Sequence, residues 1–495
     1  MKQMHTYFCA GFSRTALILS LGTALVLLGA TPGFGQTILR QISQDSFSGG
    51  SGQHQTEVEP GAFAYGPTIV AAFQVARVYG GGGMDVGWAT STNGGIAWTN
   101  GYLPGLTQWY QGGTYGAASD PSVAYDLKHG VWMINTVPIS GGIDVAVNRS
   151  KDGLHWDNPV FIAKPGNADK NWIICDNTST SPYFGNCYVG WDNTTIQMTT
   201  STDGGLTWSS AKATQCFDNG IGVNPVVQPN GNVVVGFADF GGGMSAYMST
   251  NGGQTWTCAV SIANAPSHGE AGGLRSPGLP STAIDGAGNV FVSWPDCRYE
   301  SGCSANDLVF SSSSDGTHWS AVSRIPMDPI GSGVDHFING MGIDPGTSGS
   351  SAHIGMTYYY YPVSNCGGSC TLYAGWTKSS DGGATWTKGV QLSQGMQLSW
   401  LPQSQNGLMV ADYVATVFSG HRAFPIYVIA KAKSSGVFQE AAYTAGYGYF
   451  FDGPAEPTFS SANDVPIPGI QSDHPARSPE DRDNLIPGQT PPNRN

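Results

Sequence analysis

Short apolar and β-branched runs, broken by turns rich in Gly, Asp and Asn, recur along most of the chain. Runs of this length and composition read as strands, and turns of this chemistry join strands antiparallel. The runs keep a fixed order. A polar or charged residue opens the first, a Val/Ile/Phe-rich second follows, and a third leads into a repeated turn. Residues 122–125, 131–137 and 143–148 lead to a turn at Ser150, and 225–228, 232–238 and 244–248 lead to one at Ser249. With one further strand after the turn, each unit is a four-stranded antiparallel sheet, the unit of a β-propeller.

The turn itself reads Ser-x-Asp-Gly-Gly-x-Thr-Trp at 201–208, with close copies at 91–98, 249–256 and 379–386 and versions one residue shorter at 150–156 and 313–319. The closing tryptophans Trp98, Trp156, Trp208, Trp256, Trp319 and Trp386 are spaced 58, 52, 48, 63 and 67 residues apart, which marks a repeat architecture. Asp, Asn and Gly tolerate positive φ and cap their own backbone, while the Trp adds one large apolar plug per repeat. The turn therefore reads as a structural staple.

Opening strands near Glu57, Asp120, Lys170, Asn224, Arg275, Asp335 and Asp412 give seven units, six being the count of turns. The seventh unit, at 408–418, 423–431 and 439–447, has neither the turn nor a fourth strand. Segment 37–43 (TILRQIS) resembles the fourth strands at 321–325 and 390–393, so it is expected to complete the last sheet and close the ring. The expected fold is an all-β propeller of four-stranded antiparallel blades, seven in number with six as the alternative.

These turns resemble the Asp-box, or BNR repeat, of the sialidase (neuraminidase) superfamily, over about residues 55–451. The resemblance implies a propeller and, as function, an exo-acting glycoside hydrolase of sialidase type acting on glycans at a funnel on one face. Non-enzymatic propellers carry similar boxes, so a glycan- or protein-binding module is the alternative. Sialidases have six blades and an Arg-Ile-Pro motif before the first box. Here Arg324-Ile325-Pro326 follows the fifth box, in an expected outer strand.

Residues 1–35 read as a cleaved secretory signal, with Lys2 and Arg14 ahead of the apolar run 16–30; residues 36–452 form the propeller; and residues 453–495, with 9 prolines in 43, read as a disordered tail. Without Lys2 and Arg14, 19 basic residues stand against 34 acidic ones, a net of −15, which argues against nucleic acid or anionic membrane as partner. The chain is expected to be exported, secreted or periplasmic, and monomeric, with no membrane span after signal removal. An even eight cysteines in the mature chain imply disulfides. The local pairs are Cys175–Cys187, Cys297–Cys303 and Cys366–Cys370, leaving Cys216–Cys258 by elimination.

Only 11% of residues are charged, yet nearly every opening strand begins on a charged one. Glycoside cleavage needs two carboxyl groups about one bond, or a Tyr nucleophile paired with a carboxylate. The resemblance assigns Tyr413 with Glu57 or Glu59 as that pair and Asp120 or Asp335 as the acid. It makes Arg77, Arg275 and Arg298 a carboxylate-binding triad, since guanidinium binds carboxylate bidentately. Asp169, Trp172, His336 and Asp412 complete the candidate substrate site. No cofactor is required, though calcium is possible among so many carboxylates.

Overall fold

The computed structural model describes residues 38–451 and 457–472; the expected signal segment lies outside them. The described chain is all-β and falls into four-stranded antiparallel groups in chain order. The first comprises Gly52–Tyr65, Thr68–Val78, Gly83–Ser91 and Thr99–Tyr102, and the second Ala117–Asp126, Val131–Ile139, Val145–Ser150 and Val160–Ala163. The third to sixth groups open with Asp169–Cys175, Gly220–Val227, Ser281–Ile284 and Asp335–Ile343. A seventh set, Ala415–Ser419, Arg422–Ser434 and Val437–Ala445, takes its fourth strand from Leu39–Gln41, where Leu39 faces Ala445 and Gln41 faces Tyr443. Arg275 and Asp412, expected at strand starts, instead lie in the connectors that precede Ser281 and Ala415.

The middle strands are apolar on both faces because each sheet is sandwiched between two neighbours, which turns alternation into continuous hydrophobic runs. Val233–Asp239 and Gly243–Ser249 are buried almost throughout, whereas the outer strand Val260–Asn264 is half-exposed. Each adjacent pair of groups encloses its own apolar cluster. Met133 and Val147 meet Ile173 and Trp191 between the second and third, and Phe424 and Ile426 meet Ile69 and Phe73 between the seventh and first. The opening strands touch one another in chain order, and Ala415–Ser419 touches Gly52–Tyr65.

The six repeated turns share one geometry. In each, the opening Ser Oγ accepts a glycine N–H at 2.8–2.9 Å and lies 2.8–3.1 Å from the Asp or Asn Oδ1. Each turn's Trp enters the cluster shared with the preceding group: Trp208 that of the second, Trp256 that of the third, Trp386 that of the fifth. The four disulfides are those the cysteine spacing predicts. Residues 457–472 differ from the expected unstructured tail. Thr458–Phe459 pairs with Trp386–Thr387, Asp464 reaches Arg324, and the Ser472 hydroxyl donates to the Ser267 carbonyl at 2.7 Å.

Candidate functional site

Five opening strands lose register at matching points: between Val58 and Gly61, Ser119 and Ser122, Asp169 and Trp172, Ile221 and Asn224, and Phe337 and Gly340. The bulged residues have positive φ: Glu59 53°, Asp120 48°, Lys170 44°, Gly222 73° and Ile338 50°. Side chains rarely adopt this backbone, and bulges re-aim the side chain they carry. Here they bring three consecutive groups' charges together.

Lys170 is the centre of that meeting. Its Nζ lies 2.9 Å from Asp412 Oδ2, 3.1 Å from Asp120 Oδ1, 3.7 Å from Glu59 Oε1 and 3.9 Å from Asp169 Oδ1. Arg275 clamps Asp412 from the other side, Nε donating to Oδ1 at 2.7 Å and Nη2 to Oδ2. Gln74 donates to Glu59 and to the Ser119 hydroxyl. Burial works against the Lys170 ammonium, but Asp120, Asp412, Glu59 and Asp169 outweigh it and hold its pKa above the usual lysine range. Burial likewise opposes the Asp412 carboxylate, which Arg275 and Lys170 nevertheless keep well below its ordinary pKa. Glu59 goes the other way, pushed well up by burial. The cluster is thus a dry, nearly balanced plug of paired charge.

Tyr413 stands beside it, edge-to-face with Trp172 at 5.3 Å. Burial, with Glu59 adding, pushes its phenol well above the usual range, the reverse of what a tyrosine nucleophile needs. Of the other expected residues, Arg77 adjoins the cluster through Gln74 and the rest lie apart from it. Glu57 accepts the Ser43 hydroxyl at 2.6 Å and is pushed up to about 8 by burial. Arg77 donates to Gln74 Oε1 and the Gly82 carbonyl. Arg298 is bidentate to Asp296 at 2.9 and 2.7 Å. With Arg275 on Asp412, the three arginines are each engaged by protein acceptors and do not converge as a triad.

Asp335 and His336 open a second centre whose other members the sequence reading missed. His268 Nδ1 lies 3.2 Å from Asp335 Oδ2, and Asn306 ties the two segments together. Asn306 donates its N–H to Asp335 Oδ1 at 2.7 Å and exchanges bonds with the His268 backbone at 2.7 and 2.8 Å. Glu270, half-buried on the same connector, is pushed up to about 8 by burial, with the Asp335 charge adding. His268 and Glu270 lie in connector 265–280, outside the strand starts and hairpin loops where charge was sought. The signal was the connector's length, since long loops in compact domains commonly carry function.

His336 donates its backbone N–H to the Asn306 carbonyl and packs against Tyr358 and Tyr360 at 5.5 and 6.2 Å; burial lowers its pKa. Its Nε2 stands near Asp328, and with Asp307 these groups lie close enough to share a metal ion. Arg324, however, already contacts Asp307 at 2.7 Å and Asp328 at 3.0 Å. A donor set with an imidazole and an occupied guanidinium does not fit calcium, which prefers an all-oxygen shell.

No family model and no curated protein matches this chain. Among solved structures it is similar to an intramolecular trans-sialidase from Ruminococcus gnavus (14% identity, 83% of this chain and 97% of that one, TM-score 0.40). It is also similar to an ulvan lyase, a polysaccharide lyase (11%, 81% and 96%, TM-score 0.45). A third is a protein of unknown function from Dyadobacter fermentans (15%, 71% and 100%, TM-score 0.43).

Proposed function

We propose that the protein is an exported, seven-bladed Asp-box propeller that cleaves glycans as a glycoside hydrolase, with Glu270 as proton donor. The ring of touching opening strands and the shared turn geometry support the architecture. Four disulfides support export into an oxidising compartment after loss of residues 1–35. Among the described residues no helix is long and apolar enough to cross a membrane.

The observation that carries the chemistry is the His268–Asp335 pair, with Glu270 near enough to feel the Asp335 charge. A carboxyl held protonated at neutral pH gives its proton to the leaving glycosidic oxygen. His268, oriented by Asp335, takes the proton of the water that attacks the anomeric carbon. Two of the carboxylates expected to do this work, Asp120 and Glu59, are held in the Lys170 plug instead, with the expected substrate-site residue Asp412.

The test is turnover of a chromogenic glycoside panel, a sialoside included, by the exported chain. Activity is expected to fall as pH rises through about 8, where Glu270 ionises. Glu270→Gln should lower kcat by roughly 100-fold or more, the scale of general-acid catalysis. Full activity of Glu270→Gln on a glycoside that wild type cleaves would sink the assignment. A non-catalytic glycan-binding propeller is the second reading, favoured by the inward engagement of Arg77, Arg275 and Arg298.

A further inference from the structure

Beyond the Lys170 plug the opening strands enclose a cavity of about 350 Å³. Its lining runs from the bulges toward the C-terminal ends of those strands: from Lys170 and Trp172 on to Cys175, from Gly222 to Val227, and from Tyr413 to Phe418. It therefore lies on the side of the plug toward the C-terminal ends of those strands, and all seven opening strands contribute to it. Ile173, Val223, Leu279, Met341 and Val414 make its walls apolar.

Among the polar side chains on that lining, four carry an atom with no partner among the described residues: Asn171 Oδ1, Thr282 Oγ1, Asn339 Oδ1 and the Tyr413 hydroxyl. They are 1%, 8%, 4% and 7% exposed. Buried polar atoms are nearly always satisfied, so four orphans on one cavity mark a missing occupant. The two amides cannot satisfy themselves by turning over. Asn171 Nδ2 is committed to Asn135 Oδ1 at 2.6 Å, and Asn339 Nδ2 to Ser293 O and Oγ at 3.0 and 2.8 Å. Their carbonyl oxygens therefore require donors from the occupant, while the Tyr413 and Thr282 hydroxyls can donate or accept.

We infer that this cavity binds a small, uncharged, polyhydroxylated molecule of monosaccharide size. Hydroxyls supply the donors the two amide oxygens lack and take the Tyr413 proton. The C–H faces of a sugar ring match the apolar walls, and Trp172 offers an aromatic face. Charge finds no counterpart, because the one cation on the lining, Lys170, is already paired with Asp412 and Asp120. The volume is within the usual range of small-ligand pockets. The inference is independent of Glu270, which is not among the residues that line the cavity.

The probes are D-glucose, D-galactose and L-rhamnose, with glucuronate as the charged control. Saturation-transfer NMR and Trp fluorescence on the full exported chain are the readouts. At least one neutral sugar is expected to bind, and Thr282→Val and Tyr413→Phe to weaken it about tenfold or more. Each variant removes an atom that has no partner in the protein, so both should keep or raise the melting temperature, which separates lost binding from lost fold. Binding of no neutral sugar, with the cavity holding water only, overturns the inference. So does glucuronate binding as tightly as the neutral sugars, or binding unchanged in both variants.

Discussion

A single glycine shows how the repeated turn works. Gly205 has φ of +80°, and a Cβ there would meet Met133 Sδ of the preceding sheet at 2.5 Å. Gly253 meets Thr200, Gly316 meets Val234 and Gly383 meets Phe310 in the same way, each in the preceding sheet. The residue type is thus required twice, by backbone conformation and by close approach. Ser201 contributes differently, its Oγ accepting the Gly205 N–H at 2.9 Å. Ser201→Ala is expected to lower stability by about 1 kcal/mol, the net worth of one such bond. Gly205→Ala should cost more, and thermal melts of the two variants check the order. This chemistry was legible in the sequence because Ser201, Asp203, Gly205 and Trp208 act on one another within one turn. The Glu270 centre was not, because Asp335 comes from the next group and the meeting is made by tertiary packing.

At the scale of the strand, the N-terminal segment does two jobs. Leu39–Gln41 covers the edge of Val437–Ala445, and Ser43 bridges the ring, its Oγ donating to Glu57 and accepting the Ala442 N–H at 2.8 Å. A chain beginning at Gln44 leaves that edge open and Glu57 without its donor. It is expected to melt at lower temperature and to aggregate, as open edges do, which differential scanning calorimetry and light scattering would report. Unchanged melting would mean that the seventh sheet is stable with three strands. The pairing of this segment with the last set could be anticipated because its apolar pattern matches the fourth strands of other units. The five bulges could not. Glu59-Pro60-Gly61 and Lys170-Asn171-Trp172 share no local motif, and what they share is crowding among opening strands. Gly61 illustrates it, since a Cβ there would fall 2.3 Å from the Pro121 carbonyl oxygen.

For the molecule as a whole, buried carboxyls set the response to pH. Burial pushes Glu57 and Glu270 up to about 8 and Asp307 up to about 7. The folded chain therefore keeps protons that the unfolded chain releases in the ordinary carboxylate range. Their contribution is fully present at acid pH and is lost as pH rises from about 4.5 to about 8. At the acid end, hydrogen bonds from Thr207 hold Asp203 below its ordinary range against the opposing effect of burial, so that contribution is lost as pH falls below about 4. Maximum stability is expected in mildly acid solution. Glu57→Gln should flatten the alkaline decline, measured as melting temperature against pH, and an unchanged slope would show that Glu57 does not titrate in that window.

The pairing of Gln41 with Tyr443, 402 residues apart, has a consequence for biogenesis. Segment 39–41 is made early in synthesis and must wait, unpaired, until 437–445 follow. Synthesis that stops early leaves the seventh sheet unmade and segment 39–41 without its partner strand. The seam thereby acts as a proofreading step: only a chain made as far as Ala445 can lock, and shorter products keep an open sheet edge.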